Sequence, residues 1–170
     1  MADLLECLAQ IRALAETAPR LAALVGAADD ARWHARPEAA VWAPVEVLAH
    51  LADLELIYAA RLRAMLTLDE PALQTVDQEA LAQLADYLHW PVADALARFT
   101  TRRNDTLELL RSCSAAELER RGRHPRRGPI TVADQVAIML AHDTAHVGQI
   151  RQRLAPPDGR PDRPEEQWPR

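Results

Sequence analysis

Lysine is absent from the 170 residues, so all 20 basic side chains are arginines and Schiff-base chemistry through a lysine amine is excluded. Glycine is sparse at 5 residues and aromatic content is 4%, whereas strands draw on aromatic and β-branched side chains. The abundance of alanine and leucine points to helices instead. The two cysteines, Cys7 and Cys113, are far apart and lack Cys-x-x-Cys spacing. That argues against a disulfide framework or a thiolate zinc site, and fits a reducing cytoplasm. No run reaches the ~18 apolar residues of a membrane span, and the first residues lack the basic-then-apolar pattern of an export signal. A net charge of −5 and a pI near 5.7 leave no general basic face for nucleic acid or anionic membrane. The expected setting is the cytoplasm; acidity alone names no partner.

What is present is a hydrophobic content of 49%, enough over this length for one domain with a full core. Residues 3–25 carry Leu4, Leu8, Ile11, Leu14 and Ala18 at helical spacing, with Pro19 expected to break or kink the run. A polar loop follows from Asp29 to Pro37. Pro44 then suits a helix first turn, ahead of Val47, Leu51, Leu54, Tyr58, Leu62 and Met65. A modest helical stretch is expected from Asp77 to Leu88. Pro91 opens a third long helix carrying Val92, Leu96, Phe99, Leu107 and Leu110. Ser114 with Glu117 forms a capping box for a short helix, and Arg120 to Pro129 reads as a loop. Thr131 caps a last helix through about Leu154. Four long amphipathic helices predict an all-α four-helix bundle with short extra helices over residues 1–154. The Pro-rich and Arg-rich tail, 155–170, is expected to be irregular.

His142 and His146 carry the most chemical information. At i and i+4 on a helix their Cβ atoms stand roughly 5–6 Å apart on one face, so both imidazoles can converge on one ion. At about 100° per residue, their line also holds Gln135, Gln149 and Arg153 at the margin of the apolar stripe. On the second long helix His50 shares its line with Glu46, Leu54, Ile57 and Arg61, with Asp53 close by. His50 is therefore the natural third ligand. Three neutral imidazoles leave a coordination position open for water or substrate, as in catalytic rather than structural zinc sites. Chance can also place two histidines four apart in a helix rich in alanine and arginine.

Asp143 falls near the centre of the last helix's apolar stripe, where an unpaired carboxylate would cost several kcal/mol. Arg103 interrupts the third helix's stripe in the same way, so the two could pair inside the bundle. The competing reading is a hydrogen bond from a ligand histidine's second nitrogen to Asp143 or Asp53. A buried ion pair that fixes helix register weighs as much here as a catalytic role. The run His142-Asp-Thr-Ala-His146 is only superficially like His-Glu-x-x-His, because Asp143 is one methylene shorter and faces the core.

Two segments, Trp42-Ala-Pro-Val-Glu-Val-Leu-Ala-His-Leu-Ala-Asp-Leu-Glu55 and Ala141-His-Asp-Thr-Ala-His-Val-Gly-Gln-Ile-Arg151, are joined in the pattern by Gly128-Pro-Ile-Thr-Val-Ala-Asp134. In order and separation they resemble the DinB-like, YfiT-type superfamily from the second long helix to the end of the last. The resemblance implies a four-helix bundle holding one divalent ion, zinc or nickel, through His50, His142 and His146. It implies a metal-dependent enzyme with a small-molecule substrate, and commonly a homodimer. Relatives of this type include transferases and isomerases that use a low-molecular-weight thiol, and many are assigned as hydrolases. The most concrete expectation is thus S-transfer from such a thiol, as cosubstrate, to an electrophile. Metal-dependent hydrolysis and metal binding without turnover, in a stress response, are the alternatives. Arg61, Arg103 and Asp143 are the candidate catalytic residues; Arg61, Arg103 or Arg153 could hold a carboxylate, and each could equally be structural.

Overall fold

The computed structural model describes residues 2–155; the expectation for the tail beyond Ala155 lies outside the described residues. The elements are α1 (Ala2–Ala15), α2 (Thr17–Ala27), α3 (Asp30–His34), α4 (Pro44–Thr67), α5 (Gln78–Leu84), a 3₁₀ turn (Tyr87–His89), α6 (Val92–Ser112), α7 (Ala115–Leu118), β1 (Arg121–His124), β2 (Gly128–Thr131) and α8 (Val132–Leu154). Four helical columns, α1 with α2, α4, α6 and α8, pack as the expected bundle. Among them α4 is central, resting on both α6 and α8.

Local chemistry sets most boundaries. The first column is two helices rather than one, and the break falls at Glu16, ahead of the proline. Pro19 has no N–H for the carbonyl of Ala15 and its ring crowds that carbonyl, so a new helix starts where the missing donor costs nothing. Pro44 opens α4, and the Glu46 carboxylate accepts from the backbone N–H of Ala43 at 2.7 Å. Thr131 and Asp134 form a reciprocal capping box on α8, with bonds of 3.0 and 2.8 Å. The loop expected at 29–37 contains α3, capped by Asp29, whose carboxylate accepts from the Arg32 N–H. The stretch expected helical at 77–88 divides into α5 and the 3₁₀ turn.

The main departure from expectation is the segment 120–129, which forms an antiparallel hairpin rather than a loop. Arg121 pairs with Thr131 and His124 with Gly128, around a turn at 125–127. Gly128 has φ +74°, the left-handed conformation that glycine adopts at no steric cost. Gly122 answers a different need: a Cβ there would stand 2.8 Å from Leu73 Cδ2 and 2.9 Å from Met65 Cγ. That close approach lets the segment 71–73 bond along β1, through Arg123 N–H to Pro71 O and Leu73 N–H to Arg123 O. The hairpin turn is thereby anchored beside the C-terminal half of α4.

Two apolar clusters make the core. One holds Ile11, Leu14, Leu54, Leu62, Leu107 and Met139, and the other holds Leu21, Leu48, Leu51, Phe99 and Ile150. Between them runs a buried polar layer, one contribution per column: Thr17, Glu55, Arg103 and Asp143. From α6, Arg103 bonds to each of the other three columns. Its Nη1 donates to Asp143 Oδ2 at 2.5 Å and to Leu14 O at 3.1 Å, and its Nη2 donates to Asp143 Oδ1 at 3.0 Å and Glu55 Oε1 at 2.7 Å. The Thr17 hydroxyl donates to Asp143 Oδ2 at 2.7 Å. Burial alone would lower the Arg103 pKa, but bonds to and charge from Asp143 and Glu55 raise it.

Candidate metal centre

His50 comes from the first half of α4, and His142 and His146 come from successive turns of α8. Their presented ligand atoms all lie within 4.8 Å of one another. His50 is 1% exposed and the other two are half-buried. Nε2 of His50 and Nε2 of His142 are 3.1 Å apart. Two nitrogens on one tetrahedral zinc ion, at about 2.0–2.1 Å each, would stand about 3.3 Å apart. A shared proton could account for that one distance, but not for a third imidazole turned to the same point. The three rings also pack together with centroids 4.3–5.2 Å apart, His146 edge to face with both others and His50 tilted against His142.

The electrostatics suit a cation-binding role. Burial first, then the neighbouring imidazoles, push the His50 pKa down to about 3, and burial and His146 push His142 down to about 4. His146 is also lowered by burial, against a hydrogen bond to Gln149 that raises it. All three rings are thus neutral near pH 7, with lone pairs free of competing protons. The His146 Nδ1 bonds Gln149 Oε1 at 2.8 Å, which makes Nδ1 the donor and leaves Nε2 as the ligand atom. Stability should follow these shifts. The unfolded imidazoles bind protons below about pH 6.5 and the folded ones resist to about 3 to 4, so the unfolded state gains protons as pH falls. Metal-free protein should therefore lose up to about 1.4 kcal/mol per pH unit per buried imidazole between about pH 6.5 and 4. Urea denaturation across that range checks this: a His50→Gln/His142→Gln variant should show a shallower slope, and equal slopes would count against it.

The other residues singled out in the sequence have clear positions. Asp143 and Arg103 pair in the core, as one reading anticipated. The rival bond from a ligand histidine to Asp143 or Asp53 does not form. Nδ1 of His50 and of His142 has no hydrogen-bond partner among the described residues, while Asp53 is taken by the Tyr87 hydroxyl and Arg102. Arg61 donates through Nε and Nη2 to the carbonyl of Gln74 and lines a cavity beside α4. Arg153 lies close enough to His146 to lower its pKa, and its Nη1 is buried without a partner among the described residues. Glu46, one turn before His50, is held by Arg36 through two contacts of 2.8 and 2.5 Å.

The sequence placed Gln149 on the histidine line and Glu55 in the segment that carries the resemblance, but assigned no role to either, nor to Tyr58. Glu55 falls between Leu51, Tyr58 and Leu62 on the buried side of α4, so the test that exposed Asp143 would have found it too. Tyr58 read as an ordinary core aromatic. Its ring stands edge-on to His142 with centroids 5.8 Å apart, and it lines the same cavity as Arg61. Burial and the charge of Asp143 raise its pKa, so the phenol stays protonated.

Comparison with known proteins supports the same picture. A family model described as the DinB superfamily matches residues 13–150. A protein of Oceanobacillus iheyensis named "Putative metal-dependent hydrolase" is 28% identical over 109 residues, which is 64% of this chain and 63% of that one. A protein of Halalkalibacterium halodurans bearing the same description is 25% identical over 113 residues, 66% of each. The matches thus span just under two thirds of these relatives' length. Among solved structures, YfiT from Bacillus subtilis, described as a probable metal-dependent hydrolase with an unusual four-helix bundle topology, has a TM-score of 0.80 to this chain. It matches over 86% of this chain and 85% of its own at 23% identity, a level that shows the fold. No helix among the described residues is long and apolar enough to cross a membrane.

Proposed function

This chain belongs to the DinB superfamily, and from that premise we propose that it is a metal-dependent hydrolase whose divalent ion is held by His50, His142 and His146. The convergence of three neutral, buried imidazoles within 4.8 Å carries the reading. An ion held there would supply Lewis acidity and the means of activating a nucleophile near neutral pH. The chain's own residues do the rest. Gln149 holds His146 in the tautomer that directs Nε2 inward. The Arg103 layer fixes the rotation of α8, so that Asp143 faces the core while its neighbour His142 faces α4. Tyr58, kept as a phenol, has a donor to offer to a substrate oxygen in the adjoining cavity, whose wall Leu54 and Ile57 make apolar beside it. Asp143, Glu55 and Glu46 are already engaged by arginines and do not serve as a free base.

The names borne by the relatives favour hydrolysis over the S-transfer expected from the sequence, although the same triad could activate a thiol. One experiment compares the two. Protein stripped with a chelator and reloaded with zinc or nickel is assayed on a panel of esters, amides and lactones, and in parallel on low-molecular-weight thiols with a generic electrophile. Hydrolysis that returns with metal is the expected result. Metal-dependent conjugation of a thiol without hydrolysis would replace this reading by the transferase, and metal uptake without either turnover would leave a binding protein.

A further inference from the structure

We propose that the cavity of about 880 Å³ beside α4 admits substrate with an anionic group, a carboxylate or phosphate, held at its outer end by Arg61, Arg126 and Arg127. The proposal rests on the reading of the triad as the reactive end, and supplies the substrate class that reading lacks. Such a volume lies within the range of small-molecule sites.

The cavity lies beside the triad: none of the three histidines lines it, and Tyr58 is the side chain that joins the two. Leu54 follows His50 by one turn of α4, Ile138 precedes His142 by one turn of α8, and Tyr58 both lines the cavity and meets the His142 ring. These side chains, with Ile57, form the apolar part of the cavity wall on the side of the triad. The outer end is cationic, because Arg61 comes from α4 while His124, Arg126 and Arg127 come from the hairpin turn. Their charges are felt at one place: after burial, it is Arg61, Arg127 and Arg126 that hold the His124 imidazole below its ordinary pKa.

None of the three arginines is paired with a carboxylate among the described residues. Arg61 is only 9% exposed, and its bonds run to the carbonyl of Gln74, an uncharged acceptor. A buried guanidinium without a counter-charge is costly, and gathering two more beside it adds repulsion that an anion would relieve. The acids that line the cavity, Asp77 and Glu79, keep their charge but stand at α5 and form no ion pair with these arginines among the described residues. Asp77 caps α5 by accepting from the Ala80 N–H at 3.0 Å, and Glu79 accepts from the Trp42 indole at 3.3 Å. The imidazole of His124 is oriented as well. Its Nδ1 accepts from the Arg126 N–H at 3.2 Å, so the neutral ring carries its proton on Nε2 as one more donor. An apolar wall beside the triad and a cationic end built of guanidinium forks suit a molecule with a reactive carbonyl or similar bond at one end and an anion at the other.

Calorimetric titration of the full-length protein at fixed ionic strength tests this with inorganic phosphate, benzoate and neutral benzamide as probes. Arg126→Gln/Arg127→Gln changes two exposed side chains and should keep the fold, to be checked by its melting curve. Arg61→Gln is made separately, and Arg111→Gln, an exposed arginine of α6, is the charge control. At least one anion should bind saturably, about tenfold or more weakly to the double variant, and unchanged to the control. The better of phosphate and benzoate then identifies the group, and benzamide should not bind. No anion binding, equal binding by the double variant or equal binding of benzamide would each overturn the proposal. An anion attached only to the metal would ignore the arginine substitutions and vanish in His142→Ala, which also overturns it. Because heat is read rather than turnover, failure here leaves the hydrolase assay standing, and a failed assay leaves this binding result intact.

Discussion

Alanine in place of any one of His50, His142 or His146 is expected to abolish near-stoichiometric binding of a divalent ion while the helical bundle persists. Each ring offers one ligand atom, and two remaining imidazoles leave an ion no better held than by an ordinary exposed pair of histidines. The effect should exceed the roughly 10–100-fold loss of affinity that follows removal of a ligand's outer hydrogen-bond partner. Gln149→Ala provides that lesser case, because its carbonyl orients His146 without touching the site. Elemental analysis of untagged protein, followed by competition titration with zinc and nickel, measures both. Stoichiometric metal retained by all three alanine variants would remove the basis for the triad.

The second large effect concerns the layer that orients the triad. Arg103→Met is expected to destabilise the fold by about 3–5 kcal/mol, measured by urea denaturation, because it strands Asp143 and Glu55 as buried, unpaired carboxylates. Leu14 O would lose its Arg103 donor, and Asp143 would keep only the Thr17 hydroxyl. The cost comes from the broken partnership more than from the value of the intact pair. Replacing Arg103, Glu55 and Asp143 together by apolar residues of similar volume should therefore recover most of the stability. If Arg103→Met costs less than about 1 kcal/mol, Arg103 is not what holds the two carboxylates in the core. Asp143→Asn adds a sharper test of role: loss of stability with unchanged metal affinity marks Asp143 as structural, while selective loss of metal marks it as positioning His142.

Some of this was legible in the residues because it obeys local rules. Helical periodicity, Pro44 and Pro91 at helix openings, and the capping boxes at Ser114 and Thr131 act within a few residues, so α4, α6, α7 and α8 fall close to where the sequence places them. The hairpin escaped because β1 and β2 are four residues each and carry one buried apolar side chain, Ile130. They exist through contacts with Leu73, Met65 and the 71–73 segment, which no local pattern encodes. The break at Glu16 was misplaced toward Pro19 for a related reason, since proline acts on the carbonyl four residues before it.

By itself the sequence determined the helical class, the family, and the i, i+4 geometry of His142 and His146, because spacing on one helix is set by backbone periodicity alone. It also marked Asp143 and Arg103 as charges requiring partners. The tertiary structure decided what depends on distance between elements: that His50 reaches across to His142 at 3.1 Å, that Glu55 joins Asp143 on Arg103, and that the hairpin turn brings two arginines to Arg61. Charges and ligands gain their meaning from partners tens of residues away, and only the packing of α4 against α6 and α8 sets those distances.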